Sequence, residues 1–380
     1  VRGVVGSGKT LILLLRAKFI SEQNPDWRIL MLTYNKTLMN YLREGFERIG
    51  GDPERVEIVN FHKWCSDLLP PDTPFTNPQT QMSLKGLIVS ILKESNVTTF
   101  DPQFLLDEFQ WIKEQVRYEN WENYLDPKKV KRVGRGRGLG RYEAQKRQEI
   151  YDLFLRYNER LLQNKMGDWA DLPILALEAM EKGFIEEKKK YHAVLIDEAQ
   201  DFAPSWFRVA FGMVKPETNM IFITGDGAQR IYRRDFTWKE LGLVITAQNS
   251  YILKRSYRST REIIDVALDV IQNSPALMTE LEDAGDAFVD TEEGYVEYRH
   301  GPLPVLRAFE SSAEEYDWIA DEIFSLSKQD YSLEDIAILH RRREGVRKII
   351  QTLHRHEITC DSVTATDATD PAVTISTFHS

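Results

Sequence analysis

Residues 3–20 read GVVGSGKTLILLLRAKFI, and how this stretch is read decides the fold. Gly3, Gly6 and Gly8, with Ser7 among them, let backbone N–H groups curl round phosphate oxygens. Lys9 can reach the outer phosphates, and the Thr10 hydroxyl can hold Mg²⁺. The apolar pattern that follows is a helix whose positive end adds to the same cradle. A Gly-rich turn before a buried helix would explain the glycines, but not their spacing or the Lys-Thr pair.

A second stretch, HAVLIDEAQDF at residues 192–202, runs a greasy strand straight into acids. A solvated loop is the bland reading. Beside a nucleotide cradle the acids have a use: Asp197 completes the magnesium shell through oxygen, and Glu198 orients the attacking water.

Short aliphatic runs recur at 28–33, 56–59, 194–196, 220–224, 251–253, 336–339 and 373–375. Most lead through polar residues into helical patterns, as strands of a parallel α/β sheet do. Ligands of such sheets collect at the strands' carboxyl ends. Between Trp64 and Lys190 the strand signals vanish and helical spacing takes over, as in YDLFLRYNERLLQ. The fold expected is α/β of the P-loop NTPase type. Two parallel-sheet domains are expected, the first formed by residues 1–64 and 191–250 around a helical insertion at 65–190, the second by 251–380.

With 380 residues and 42% apolar content the chain can bury sizeable cores. Cys65 and Cys360 stand alone, which excludes a disulfide framework or zinc site and fits a reducing, cytoplasmic setting. No apolar run is long enough to span a bilayer, so no membrane partner is expected. The net charge of −10 argues against wholesale coating of a polyanion but leaves a local groove open. Residues 128–147 supply a candidate, with nine basic residues against one acid and the segment RGRGLGR inside them. That run is a solvated loop or a phosphate-tracking one, Arg135 and Arg137 being the residues to test.

GSGKT and LIDEAQDF together resemble the superfamily 1 DNA helicases of the UvrD/Rep type. MLTYNKTL, VNFHKW, TGDGAQRIY, LKRSYRST, DIAILHRR and VTISTFHS match the same family in the same order, and the branch associated with nuclease-related modules fits best. The resemblance implies an ATP hydrolase using ATP and Mg²⁺ to move along single-stranded or tailed duplex DNA, 3′-to-5′, as a monomer. It implies that Gln200 and Gln229 sense the γ-phosphate, that Arg258 stabilises the transferring phosphoryl group, and that Tyr257 packs near the base. Phosphoryl transfer itself favours a guanidinium at Arg258.

Strand contacts are expected from Tyr34, Asn35, Lys36, Phe61, His62 and Tyr232, which follow strand ends where aromatics and polar groups can track a single strand. The family pattern adds Thr377 and His379. Trp111 reads as helix core. RNA stays open as a partner, and so does a P-loop ATPase acting as a switch or clamp without unwinding.

Four departures from the family shape the expectation. The upstream glutamine that reads adenine lies before residue 1, and the second catalytic arginine lies beyond Ser380. No large accessory insertion separates LHRRR from VTISTFHS, and Arg234 stands where a stacking tryptophan is common, with Phe236 or Trp238 as substitutes. The 380 residues are therefore expected to bind nucleotide, hydrolyse it poorly and unwind nothing, the longer parent being the active motor.

Overall fold

The computed structural model describes residues 1–3, 6–71, 73, 79–130, 143–225, 241, 243–244, 246, 248–253, 255–274, 299–362 and 371–377. It divides into two compact units, Val1–Gly301 and Pro302–Ser380.

The first unit is built on β1 (Arg2–Gly3), β2 (Ile29–Thr33), β3 (Val56–Asn60), β4 (Ala193–Ile196), β5 (Met220–Ile223) and β6 (Ile252–Leu253). Four of these pair in the order β3-β2-β4-β5, all parallel, and β1 pairs parallel with β6. A parallel bridge from Arg2 to Gly225, just past β5, carries the order on to β1 and β6. One strand, β5, therefore separates the loop after β1 from the acids after β4. The strands lie where the aliphatic runs placed them, to within a residue or two; β1, only two residues long, gave no such run.

Helices cover both faces because the central strands are apolar on both sides. Residues alternate across the sheet: Leu30, Leu32, Val194 and Ile196 face one core, and Ile29, Met31, Ala193 and Leu195 the other. The second core is closed by α1 (Lys9–Gln23) and α2 (Lys36–Arg48), through Leu13, Ala17, Leu42 and Phe46. The first is closed by α3 (Phe61–Leu68), α7 (Asp171–Glu181) and α8 (Pro204–Gly212), through Trp64, Leu172 and Trp206.

Between α3 and α7 stand α4 (Gln81–Glu94), α5 (Pro102–Gln115) and α6 (Glu143–Gln163). These helices share a separate core of Leu84, Ile88, Phe109, Ile112, Phe154 and Tyr157, and Trp111 is buried in it. Asp101 caps α5 through the backbone N–H groups of Gln103 and Phe104, and Pro102 opens that helix where no donor is needed. Of the basic run, Arg147 is itself core: its guanidinium donates to the Tyr124 carbonyl at 2.6 Å and the Val130 carbonyl at 2.9 Å. Arg135 and Arg137 lie outside the described residues.

Helix α9 (Arg261–Gln272) follows β6 and completes the described helices of the first unit. The second unit is a parallel sheet in the order β7-β9-β8, from β7 (Ala337–His340), β8 (Cys360–Ser362) and β9 (Val373–Thr377). Helices α10 (Ser312–Ser327) and α11 (Arg343–Arg355) pack on it through Ala320, Ile323, Ile349, Leu353, Val373 and Ile375. The three residues of β8 are too few to leave a periodic signal.

Candidate functional site

Gly6 and Gly8 both take left-handed backbones, with φ of 69° and 86°, which a side chain would strain. At Gly6 there is also no room: a Cβ would sit 2.5 Å from the Arg258 Cβ. The close approach is fixed by a bond from the Tyr257 backbone N–H to the Gly6 carbonyl at 2.9 Å. This contact brings Tyr257 and Arg258 onto the loop, Tyr257 lying 251 positions from Gly6 in sequence. Gly8 opens α1, the Ile12 N–H bonding back to its carbonyl at 3.0 Å. Lys9 is buried and donates to the Gly3 carbonyl at 2.9 Å, folding its ammonium back across the loop. The hydroxyls of Ser7 and Ser256 are buried beside it with no hydrogen-bond partner among the described residues.

The acids meet this loop. The Thr10 hydroxyl donates to Asp197 Oδ2 at 3.0 Å, and the Thr224 hydroxyl, at the end of β5, donates to Oδ1 at 2.6 Å. Asp197 is fully buried. Burial, and then the neighbouring Glu198 charge, push its carboxyl up to about 6. Such a group gains from a cation. A separation of 3.0 Å between the Thr10 and Asp197 oxygens suits adjacent ligands of an octahedral Mg²⁺ with bonds of ~2.1 Å. The donor set, hydroxyl and carboxylate oxygen, is the hard one that ion prefers, so residues and ion fit.

Glu198 is half-buried and left-handed, φ 48° and ψ 50°, and Gln200 Nε2 donates to its Oε2 at 2.6 Å. A cavity of about 410 Å³ opens over the loop. Glu198, Tyr257 and Arg258 line it together with the loop, and Tyr41, Glu44 and Arg48 of α2 line it as well. The loop, Glu198, Tyr257 and Arg258 thus come together around one space, with Asp197 bonded to its Thr10 and Gln200 to its Glu198. Gln229 lies outside the described residues.

The carboxyl ends of β2 and β3 carry an aromatic cluster. Tyr34 follows β2 and stacks on Trp206 at 5.4 Å between ring centroids. His62 stands edge-on to Trp206 at 4.6 Å and to Trp169 at 5.2 Å. Phe61 differs from its expected role as a strand contact. It is fully buried, stacked on Trp206 at 4.7 Å, because the first residue of α3 turns into the sheet-side core. A ring so enclosed supports its neighbours and offers no face to a base. Asn35 and Asn60 cap α2 and α3, accepting from the Thr37 N–H at 2.7 Å and the His62 N–H at 3.1 Å. Lys36 opens α2.

Trp169 is 49% exposed at this cluster, and sequence reasoning missed it. Its signal was a tryptophan inside the polar run MGDWADL, off the helical spacing. Thr224 was also missed; a hydroxyl ending the aliphatic run at 220–224 was its signal. In the second unit Thr377 ends β9 and pairs in register with His340, after which Arg341, Arg342 and Arg343 lie exposed at the start of α11. Tyr232 and His379, like Arg234, Phe236 and Trp238, are outside the described residues.

A parallel sheet covered on both faces, with a glycine cradle, a buried aspartate and an adjacent glutamate at the strand ends, defines a P-loop nucleotide-binding fold. Family profiles narrow the class. The UvrD/REP helicase N-terminal domain matches residues 1–236, and the UvrD-like helicase C-terminal domain matches 251–367. The chain belongs to the UvrD/REP helicase family. Among curated proteins it is 25% identical over 366 residues to a probable DNA helicase II homolog of Mycoplasma capricolum, covering 88% of this chain and 46% of that one. It is 24% identical over 374 residues to the ATP-dependent DNA helicase PcrA of Bacillus subtilis, covering 92% and 46% respectively. The chain therefore spans about half the length of the curated relatives it matches.

Proposed function

We propose that this chain is the motor portion of an ATP-dependent DNA helicase or translocase. The observation that carries the reading is the Thr10–Asp197 contact, 187 positions apart in sequence, with Thr10 lining the same cavity as Glu198 and Arg258. Backbone N–H groups of residues 6–10 and the Lys9 ammonium hold the phosphates, and Thr10 and Asp197 hold Mg²⁺. Thr224 keeps the Asp197 carboxylate turned toward Thr10. Glu198 orients and deprotonates the attacking water, Gln200 fixes the Glu198 carboxylate, and Arg258 offsets charge on the transferring phosphoryl oxygens. Tyr257 packs against the base. Bound Mg·ATP supplies the phosphoanhydride whose cleavage drives the cycle.

Single-stranded DNA is proposed to contact the Tyr34, His62 and Trp169 cluster of the first unit; within the second unit, Thr377 and the Arg341–Arg343 run are proposed contacts. The relatives' names speak for DNA, and the family resemblance for 3′-to-5′ travel by a monomer. Two RecA-like domains, residues 1–64 with 191–250 and residues 251–380, with a helical insertion at 65–190, are proposed as the moving parts. A chain of half the relatives' length is proposed to hydrolyse slowly and to leave duplexes closed.

ATPase rates with single-stranded DNA, with RNA and without polymer, beside a Lys9→Ala control, test the reading. Nucleotide-dependent turnover stimulated by DNA above RNA supports it; absence of ATP binding by the wild-type chain overturns it. Stimulation without any unwinding by the full-length parent would instead assign a switch or clamp.

A further inference from the structure

Lys113 on α5 and Asp168 are both fully buried, and the nucleotide chemistry uses neither. The Lys113 ammonium lies 2.9 Å from Asp168 Oδ2 and 2.6 Å from Asp171 Oδ1. The Tyr157 hydroxyl, on α6, donates to the same Asp168 Oδ2 at 2.9 Å. Both carboxylates then hold the chain between them: Asp168 Oδ1 accepts from the Ala170 N–H at 2.8 Å, and Asp171 Oδ2 accepts from the Asp168 N–H at 2.8 Å. The residue inside this turn is Trp169, whose ring reaches solvent beside His62.

A buried ion pair is a poor device for stability, since well-packed apolar residues often do as well; its best-attested use is to fix one arrangement among several. Here the arrangement fixed is a turn. Burial alone would lower the Lys113 ammonium, but Asp168 and Asp171 outweigh it and hold it charged. With the ammonium removed, one of the two carboxylates must take up a proton and the turn loses the two bonds that tie it to α5. Lys113 and Tyr157 come from helices of the separate helical core, whereas Leu172, one residue past the turn, belongs to the sheet-side core. The polar cluster is therefore a joint, beside the packing of α5 on α8, by which the helical insertion reaches the aromatic face.

We propose that Lys113, assisted by Tyr157, is a positioning residue for strand binding: it clamps the Asp168–Asp171 turn so that Trp169 stands beside His62 as a platform for a base. The proposal rests on the strand-binding reading above. A ring held in place before binding loses little freedom when a base stacks on it, so releasing the clamp weakens binding even though Lys113 touches no nucleic acid.

The test is a double-mutant cycle. Affinity for a fluorescent oligo(dT) is measured for the wild-type chain, Lys113→Met, Trp169→Ala and the double variant, well below each thermal midpoint. Affinity for a fluorescent ATP analogue is measured in parallel. Lys113→Met and Trp169→Ala are each expected to weaken oligo(dT) binding about tenfold, the scale of one base–aromatic stack, and the double variant by no more than either. Nucleotide affinity stays within about twofold, because the clamp lies off the P-loop cavity. If Lys113→Met lowers the thermal midpoint alone, or its effect adds in full to that of Trp169→Ala, Lys113 is structural and the proposal is overturned. Should Lys113→Met fail to fold, Tyr157→Phe removes one hydrogen bond to Asp168 and keeps the ion pair; weaker oligo(dT) binding that vanishes in the Trp169→Ala background supports the clamp, and no change overturns it. A wild-type chain that binds no oligo(dT) overturns the strand-binding reading itself, a result distinct from a wild-type chain that binds and a Lys113 variant that binds equally well.

Discussion

Glu198 follows the buried Asp197 with a left-handed backbone, a conformation costing a non-glycine residue about 1–2 kcal/mol. Strain of this kind persists where function over-determines it, and here it turns the carboxylate toward the cavity instead of along the strand. Glu198→Gln keeps the shape and the contact with Gln200 but removes the anion. Turnover is expected to fall by roughly 10²–10⁴-fold with nucleotide affinity retained, measured by phosphate release and fluorescent-nucleotide titration. Thr224→Val takes away the 2.6 Å bond that orients Asp197. A support of this kind is worth about tenfold in metal affinity, so the Mg²⁺ dependence of ATP binding should shift to higher concentration by that factor. Gly6→Ala puts a methyl against Arg258, and nucleotide binding should be lost while the fold, followed by circular dichroism, survives.

At the scale of elements, β4 is the central support, buried along its whole length with α1 on one face and α8 on the other. Leu195→Ala should cost about 2–5 kcal/mol of stability, read from denaturant midpoints, because the strand cannot collapse onto the void. The opposite end of the same strand carries His192, stacked on Trp27 at 5.5 Å, accepting from the Arg28 N–H at 2.9 Å and standing 3.0 Å from the Lys215 ammonium. Burial, then Lys215, hold its imidazole below the ordinary value of 6.5. The native state therefore binds fewer protons here than the unfolded chain, and stability rises with pH across this window. His192 contributes its full stability above about pH 6.5 and loses it as the pH falls through the lowered native value. Denaturation midpoints at pH 7.5 and 5.5 should differ less in His192→Gln than in the wild-type chain.

Over the whole molecule, a net charge of −10 coexists with a proposed nucleic-acid surface, so binding must come from local cations and not from the overall field. Replacing Arg135 and Arg137 with Ser should reduce the slope of log affinity against log salt by about 1.4, two phosphate contacts at ~0.7 each for a single strand. An unchanged slope in a salt titration would remove this loop from the interface. The separate core of α4, α5 and α6 lets the helical insertion pack without drawing on the sheet. Its polar joint to the sheet is the Lys113–Asp168–Asp171 cluster.

Much of this was legible in the residues. The glycine spacing at 3, 6 and 8, the aliphatic runs and the acids after residue 196 mark loop, strands and strand ends, because backbone conformation and side-chain periodicity are local properties. The ordered motifs located both acids, Tyr257 and Arg258 before any geometry was known. What the linear pattern left open was which side chains face outward and which distant groups touch. Phe61 and His62 are adjacent, yet one is sealed in the core and the other half-buried, a difference set by α8 packing Trp206 over the helix start. Trp169 carried no periodic signal, since its place depends on a turn held by Lys113, 55 positions from Asp168. The sequence by itself determined the nucleotide cradle and the class of fold. Only the tertiary structure decided that Thr10 meets Asp197 and that Lys113 reaches the turn around Trp169, because the order of parallel strands is set by long crossovers and shared cores, which no local pattern encodes.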